Sequence, residues 1–256
     1  DERAATLELQ ASEPIKNHIE MGFSGTSGDG SITTLISKLQ GIGYYKELFK
    51  YVYGSEEITE SKLQLALAQF IRSIQSFDSK YDLGRIAVQS DNQAFPNFTA
   101  QENQGKTLFL TPPVFNVSGV RTSGGFGCAA CHAAPEFDID PNTRNNGIIG
   151  VLNDTGIDIT NTRAPSLRDL VNANGIPNGP MMHTGGLVTL QNVIGHYGTI
   201  TIATRNTNLD PRLAPNGFGQ QLNFQPGEVN ALIAFIKTLT GTNVYSDPKW
   251  SSPFKS

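Results

Sequence analysis

The chain has 256 residues, 38% of them hydrophobic, which is enough for one large domain or two modest domains with buried cores. A net charge of -4 with no lysine or arginine run excludes the charge pattern of a protein that binds nucleic acid or an anionic membrane surface. No segment approaches the roughly 20 consecutive apolar residues that a membrane-spanning helix needs. We therefore expect no nucleic-acid partner and no membrane span.

Helical patterns dominate the first third of the chain. They lie near residues 6–12, near 32–39, within 41–54 and, longest, over 60–77. In the longest pattern apolar residues recur at three- and four-residue steps, as one buried helix face requires. These residues are Leu63, Leu67, Phe70, Ile71 and Ile74. The segment from about Ser79 to Asn97 has weak periodicity and several Asp, Ser and Asn residues, which is typical of a linker.

Helices joined by long loops are predicted for the rest of the chain. Helices are expected over 100–110, after Pro165, over 188–197 and over 227–239, and 26 glycines and 14 prolines indicate much irregular structure. Strands should be few. We divide the chain into a first unit at 1–85, a linker at 86–98 and a second unit at 99–256 that ends in a returning C-terminal tail.

A Cys-x-x-Cys-His motif at 128–132 carries the most specific chemistry. Cys128 and Cys131 have the spacing that attaches covalent haem c, and His132 is placed to bind the iron from one side. A redox dithiol or half of a zinc site would use the same cysteines, but the chain has no other cysteine. The motif predicts a mainly α, cytochrome c-like fold with long irregular loops around the haem, in an exported, periplasmic protein.

Residue spacing alone does not identify the second axial ligand of the haem iron. Met181, Met182 and His183 stand together, and Tyr197 ends the following predicted helix. On that helix Tyr197 shares its face with the apolar positions at 190, 193 and 194, so it should point to the buried side. A tyrosine in such a stripe is more often a core aromatic than a ligand. His18 and His196 are interpreted as surface or packing histidines.

Several segments together resemble the bacterial di-haem cytochrome c peroxidase and MauG family. They are RAATLELQASEPIKNHIEMG at 3–22, CAACH at 128–132, TRAPSLRDL at 162–170, PMMHTGGLVTLQNVIGHY at 180–197 and DPKWSSPF at 247–254. Their order and spacing follow the family over almost the whole chain. The resemblance implies a peroxidase-type oxidoreductase that acts on hydrogen peroxide. It also implies that the first unit is the remaining part of the family's first, peroxidatic haem domain.

The resemblance also assigns roles to individual residues. Glu20 matches the acid/base carboxylate above the peroxide-binding haem and Gln10 the glutamine beside it. Tyr197 matches the distal ligand of the second haem, which is a tyrosine in the MauG branch and a methionine in the classical peroxidases. Asn178 and Pro180 match two positions of a calcium site between the haem domains. Met181 and Thr184 depart from the family's tyrosine and aspartate, so the methionines remain alternative ligands.

Only one haem motif is present in this sequence. The first motif of the family would have to come from an N-terminal haem segment or a companion chain, which would bring the second haem. The expected electron donor is a small redox protein, or the target is a protein substrate, and the resemblance allows a homodimer. Two rival hypotheses are a mono-haem electron-transfer protein and a subunit of a larger redox complex.

Overall fold

The computed structural model describes residues 4–139, 141–152 and 154–254. The chain forms two compact units, which divide between Gln75 and Ser76. Both are built mainly from α-helices and loops, in agreement with the predicted fold class. Among the described helices none is long and apolar enough to cross a membrane.

The first unit contains four helices. They are α1 (Leu7–Lys16), α2 (Ile32–Gln40), α3 (Gly43–Tyr53) and α4 (Glu60–Ser73). Thr6, Ser31 and Thr59 begin α1, α2 and α4, because each side-chain oxygen accepts a backbone N–H of the first turn. α1 packs against α4. Gln64 of α4 donates to the Ser12 hydroxyl of α1 at 2.8 Å, which fixes this pair.

The buried face predicted for the long helix is mostly wrong in this structure. α4 ends at Ser73 rather than at residue 77, and its one buried residue is Ala68. Phe70, Ile71 and Ile74 are 48%, 43% and 43% exposed. At this end of α4 the contact with α1 is made by a polar pair, in which Arg72 donates to Glu8 at 2.6 Å, while the apolar side chains stay partly exposed.

The second unit contains five helices and three small antiparallel sheets within the described residues. The helices are α5 (Lys80–Ile86), α6 (Ala100–Leu110), α7 (Leu190–Gly198), α8 (Glu228–Lys237) and α9 (Asn243–Ser246). The strand pairs are β1 (Pro113–Phe115) with β2 (Arg121–Gly124), β3 (His132–Ala133) with β4 (Asp138–Ile139), and β5 (Gly150–Val151) with β6 (Asp154–Ile157). Strands are few among the described residues, as predicted, and each pair is short.

Two sequence-based expectations do not match the second unit. The segment 79–97 contains α5, which begins at a capping box of Ser79 and Asp82. The proposed linker at 86–98 ends in the core, where Phe95 and Phe98 are 1% and 8% exposed. The helix predicted after Pro165 is absent, since residues 165–189 are loop. There the Leu167 N–H donates to the carbonyl of Phe137 rather than within a helix.

The core of the second unit lies where α6 crosses α8. Gly105 permits the close approach, because a Cβ atom at this position would lie 1.9 Å from the carbonyl oxygen of Ala231. A cluster of aromatic rings surrounds the crossing, and Cys128 and Ala129 pack against it. Its largest members are Tyr81, Phe95, Phe98, Phe109, Phe126, Phe137 and Phe235. The Cys-x-x-Cys-His segment therefore rests on this core.

Substitution of Gly105 by alanine should strongly destabilise the second unit. The added methyl group must push α6 away from the α8 backbone, and overpacking of this kind costs about 1–3 kcal/mol. Gly43→Ala is the matched control, because a Cβ atom there meets nothing within 4 Å. Urea unfolding followed by circular dichroism measures both. Equal free energies of unfolding for the two variants would contradict the close crossing.

Candidate haem site

The two cysteines lie in a single tight turn. Residues Cys128–Ala130 form one turn of 3₁₀-helix, closed by a 3.1 Å hydrogen bond from the Cys131 N–H to the Cys128 carbonyl. The two thiols are not joined in a disulfide. Burial raises the pKa of Cys128 to about 12. A redox dithiol needs a lowered pKa, so this environment suits a buried cysteine that is covalently capped better than a reactive one.

His132 presents one ring nitrogen for a ligand. Its Nδ1 lies 3.1 Å from the carbonyl oxygen of Phe137 and 3.0 Å from that of Pro165. Carbonyl oxygens only accept, so Nδ1 carries the proton and Nε2 is left as the basic nitrogen. Burial lowers the pKa of His132, which keeps the ring neutral. A neutral imidazole held through its second nitrogen is the form that binds a metal or haem iron.

Tyr197 lies on the buried side of α7, as the sequence predicts. Thr189 begins this helix by accepting the N–H of Asn192, and Leu190 and Ile194 of the same face are 4% and 6% exposed. Burial raises the pKa of Tyr197 to about 12, and the charges of the nearby Cys131 and Cys128 act in the same direction. The phenol is thus close enough to both thiols to interact with them electrostatically.

The other candidate ligands lie in different surroundings. Met181 packs against the core cluster. The Met182 sulfur lies 3.5 Å from the Asn146 amide nitrogen. His183 is exposed and donates through Nε2 to the Gly150 carbonyl at 3.1 Å. His196 donates through Nε2 to the Asn146 carbonyl at 2.9 Å, which fits the packing role predicted for it.

A partly buried ion pair contacts the haem motif, and no motif in the sequence predicts this contact. Arg212 donates to the carbonyl oxygen of Ala130, between the two cysteines, at 2.8 Å. Its guanidinium is held by Asp210, which accepts from Nε at 2.8 Å and from Nη2 at 2.7 Å. Burial acts to raise the pKa of Asp210, but hydrogen bonds from Arg212 and Arg144 outweigh it and the pKa is lowered. The sequence Asp-Pro-Arg signals a helix start but not this contact.

Replacement of Asp210 by asparagine should lower the free energy of unfolding by about 3 kcal/mol at pH 7, because it leaves a charged Arg212 without its partner. A carboxylate with a lowered folded-state pKa stabilises the protein above its ordinary pKa of about 4. This contribution is lost as the pH falls through the lower folded-state pKa. The deficit of the variant should therefore shrink below about pH 4.

The chain offers a matched control for this variant. Asp247, Pro248 and Lys249 repeat the same helix-start pattern, but the side chains of Asp247 and Lys249 are 34% and 57% exposed. Asp247→Asn should cost less than about 1 kcal/mol, as exposed ion pairs contribute little. Chemical unfolding over a pH series measures both variants. If Asp210→Asn and Asp247→Asn lower the free energy of unfolding by equal amounts, the Asp210–Arg212 pair does not stabilise the segment that contains the haem motif.

Glu20 and Gln10 both lie in the first unit. Gln10 is on α1, and Glu20 is in the turn that follows it, with its N–H donating to the Asn17 carbonyl at 3.2 Å. This turn is tied back to the helix by a 3.2 Å hydrogen bond from Met21 to Pro14. Both side chains are exposed. They belong to one local structure, and their roles remain predictions.

The two residues matched to a calcium site lie in the loop before α7. Asn178 and Pro180 are exposed, and the Asn178 amide nitrogen donates to the carbonyl of Asp169 at 2.7 Å and to the Tyr245 hydroxyl at 2.6 Å. Among the residues that the structure describes, no group of three or more His, Cys, Asp or Glu side chains is arranged to hold a metal ion. The calcium site therefore remains a prediction.

Comparison with known proteins agrees with the resemblance seen in the sequence. The family model described as di-haem cytochrome c peroxidase matches residues 1–88. The MauG protein of Methylophilus methylotrophus is 29% identical over 249 residues, which are 94% of this chain and 63% of that protein. The cytochrome c551 peroxidase of Nitrosomonas europaea is 27% identical over 252 residues, 94% of this chain and 60% of that protein. The chain is thus similar to the di-haem cytochrome c peroxidase and MauG proteins, and the family model matches its first 88 residues.

Two solved structures share the fold of the chain. A MauG-like protein associated with microbial copper homeostasis superposes with a TM-score of 0.68 at 24% identity, over 100% of this chain and 74% of that chain. A variant of the diheme peroxidase BthA from Burkholderia thailandensis superposes with a TM-score of 0.63 at 19% identity, over 94% and 64%. These likenesses confirm the mainly α, cytochrome c-like fold. The chain spans about three fifths of the length of the MauG and peroxidase relatives above.

Proposed function

We propose that this chain forms the larger part of a MauG-like di-haem peroxidase and carries one of its two haems at Cys128 and Cys131. The observation that carries the proposal is the donor set: two half-buried thiols in one turn, an imidazole whose Nδ1 donates to backbone carbonyls so that Nε2 is the basic nitrogen, and a tyrosine on the buried side of α7. The donors have the chemistry that covalent haem requires. The family relationship supplies the second line of support.

Each residue of the site has a stated task in this proposal. Cys128 and Cys131 would hold the haem by thioether bonds, and His132 would bind the iron through Nε2. Tyr197 would serve as the second iron ligand, where an anionic phenolate would favour the ferric and higher oxidation states over the ferrous state. When bound, the haem supplies an iron that exchanges one electron at a time. The backbone carbonyls of Phe137 and Pro165 fix the plane of the imidazole.

Glu20 and Gln10 act on peroxide at the second haem, which an N-terminal segment or a companion chain supplies. Cleavage of the O–O bond needs a group that takes a proton from one oxygen and returns it to the other, and a carboxylate does both. Glu20 moves this proton, and the Gln10 amide donates a hydrogen bond to the bound peroxide. The haem of the present chain passes or stores the oxidising equivalents.

The exposed apolar end of α4 supports such a missing partner. Phe70, Ile71 and Ile74 are all more than two fifths exposed although their spacing is that of a buried face. Large exposed apolar patches usually mark a surface that another element covers. In our proposal the first unit, which ends at Gln75, completes the peroxidatic haem domain, and the second unit, from Ser76 onward, forms the second haem domain.

Further parts of the proposal follow from the family. Covalent haem attachment takes place outside the cytoplasm, which places the protein in the periplasm. Asn178 and Pro180 contribute oxygen ligands to a calcium ion. The electron donor is a small redox protein, or the oxidised target is a protein side chain, and a homodimer is compatible with both.

The experiment is a peroxide assay on the purified native protein. The haem-loaded protein is mixed with hydrogen peroxide and a reduced c-type cytochrome, and oxidation of the cytochrome is followed by absorbance. Peroxide-dependent oxidation at rates well above free haem is the expected result. A protein whose haem cycles between ferric and ferrous states but leaves peroxide unreacted would overturn the proposal and favour simple electron transfer.

A further inference from the structure

Tyr81 is a tyrosine in the aromatic core of the second unit. It lies in the first turn of α5 and is 2% exposed. Its backbone N–H donates to the carbonyl of Thr238 at 3.0 Å, directly after α8, so the start of α5 is anchored to the core. The other large rings around the α6–α8 crossing belong to phenylalanines, which lose an electron far less readily than a phenol does. Tyr81 is therefore the oxidisable ring of this cluster.

Phe137 connects Tyr81 with the proposed haem ligand. The rings of Tyr81 and Phe137 meet edge to face, with their centroids 4.8 Å apart, which is direct contact for two aromatic rings. The backbone carbonyl of Phe137 lies 3.1 Å from His132 Nδ1 and accepts its hydrogen bond. Cys128 of the haem motif packs against the same cluster. An electron can thus pass between His132 and Tyr81 through a single intervening residue.

Asp91 provides the second requirement for oxidation of a buried tyrosine, which is an acceptor for the phenol proton. The Tyr81 hydroxyl donates to Asp91 Oδ1. An ionised carboxylate only accepts, so the direction of this hydrogen bond is fixed. Asp91 Oδ2 lies 3.3 Å from Arg85 Nε, and the Asp91 side chain is 26% exposed. The carboxylate therefore links the buried phenol to solvent.

Burial requires that the electron and the proton leave Tyr81 together. Burial and the hydrogen bond to Asp91 both raise the pKa of Tyr81, so the phenol keeps its proton until it is oxidised. An oxidised ring that retained the proton would be an unpaired positive charge among apolar rings, which is strongly unfavourable. A neutral tyrosyl radical avoids this charge. A backbone carbonyl could also accept the phenol hydrogen bond, but only a carboxylate can take up the proton.

We propose that Tyr81 stores one oxidising equivalent of the peroxide reaction as a tyrosyl radical, with Asp91 as its proton acceptor. The inference rests on the proposed function, because it requires haem at Cys128 and Cys131 and hydrogen peroxide as the oxidant. Tyr81 gives one electron to the oxidised haem iron, its O–H bond breaks, and a new O–H bond forms on Asp91. Each peroxide molecule takes up two electrons and two protons and leaves as water. Tyr81 supplies one of these electrons and the iron supplies the other.

The test mixes the complete haem-loaded protein with hydrogen peroxide in the absence of an electron donor. Samples are frozen after set times and measured by electron paramagnetic resonance. We expect the signal of a tyrosyl radical, narrowed in protein made with ring-deuterated tyrosine and lost in Tyr81→Phe. Tyr245→Phe is the matched control, because Tyr245 belongs to the same unit but is 48% exposed and lies outside the aromatic cluster. Its radical signal should match that of the wild type.

The role of Asp91 is tested by Asp91→Asn. The amide keeps an oxygen beside the phenol but cannot take up its proton, so the radical should form about 10²-fold more slowly, the lower end of what a general base contributes. An unchanged rate in the folded variant would overturn the role of Asp91. Fluorotyrosine in place of Tyr81 keeps the hydrogen bond and serves if Asp91→Asn does not fold. Its fluorine should split the radical signal, and an unsplit signal would place the radical elsewhere and overturn the proposal.

The haem absorbance separates failure of this inference from failure of the proposed function. If peroxide changes the haem spectrum but no tyrosyl radical appears, or if the radical persists in Tyr81→Phe, the role of Tyr81 is overturned and the peroxidase proposal is left intact. If peroxide leaves the haem spectrum unchanged, both are overturned, because Tyr81 then has no oxidant.

Discussion

Alanine at both Cys128 and Cys131 should leave no covalently attached haem on residues 1–256, whereas the second haem of the proposal, on an N-terminal segment or a companion chain, stays attached. The two thiols are the only cysteines among these 256 residues, so no other thioether can form there. The single variants are the matched controls, because each keeps one thiol in the same turn and should retain one thioether bond. Intact mass under denaturing conditions measures the outcome, since only covalent haem survives unfolding.

Loss of the haem should also lower the stability of the second unit. Cys128 and Ala129 pack against the aromatic core, so the tethered haem covers apolar surface that would otherwise meet water. Thermal unfolding followed by circular dichroism should give a lower midpoint for the double variant than for either single variant. A double variant that keeps the haem mass after denaturation would contradict attachment at this motif.

Glutamine in place of Glu20 should reduce peroxide turnover by about 10²–10⁴-fold, the usual contribution of a general acid/base. The amide has nearly the same shape but cannot take up and return a proton. Donor oxidation by the haem-loaded protein should therefore slow, while the spectrum of the haem at Cys128 and Cys131 stays unchanged. Stopped-flow measurement of cytochrome oxidation at saturating peroxide gives the turnover rate.

Glu13→Gln is the control for this variant. Glu13 lies on α1 and is also exposed, so the substitution removes the same charge from the same unit without touching the proposed proton path. Its turnover should match the wild type. If both variants turn over peroxide at the wild-type rate, Glu20 has no part in the mechanism. If both lose turnover to the same extent, the loss comes from the removal of a negative charge in general.

Local signals in the sequence were sufficient to predict a helix such as α6, which begins at a capping box. The predicted helix over 100–110 is α6 to the residue, because the Thr99 and Glu102 side chains form a capping box at its start. The inward direction of Tyr197 followed from the positions of Leu190 and Ile194 on the same face. In both cases the deciding interactions lie within one or two helical turns.

Features that depend on distant contacts could not be predicted in this way. α5 was missed because its Ser and Asp residues resemble a loop, although Ser79 and Asp82 do carry a capping signal. The loop after Pro165 is held by partners far away in sequence, such as the bidentate pair of Arg168 with Asp82, with Nη2 2.7 Å from Oδ1.

The most direct test of the central claim is the haem content of the complete native protein. Pyridine haemochrome absorbance against protein mass gives the number of haems per functional unit, and peptide mass mapping shows which cysteines carry them. The proposal predicts two haems, one on the peptide with Cys128 and Cys131 and one on an N-terminal segment or a companion chain. A single haem per functional unit, with both axial positions filled, would contradict the peroxidase and identify a mono-haem electron-transfer protein.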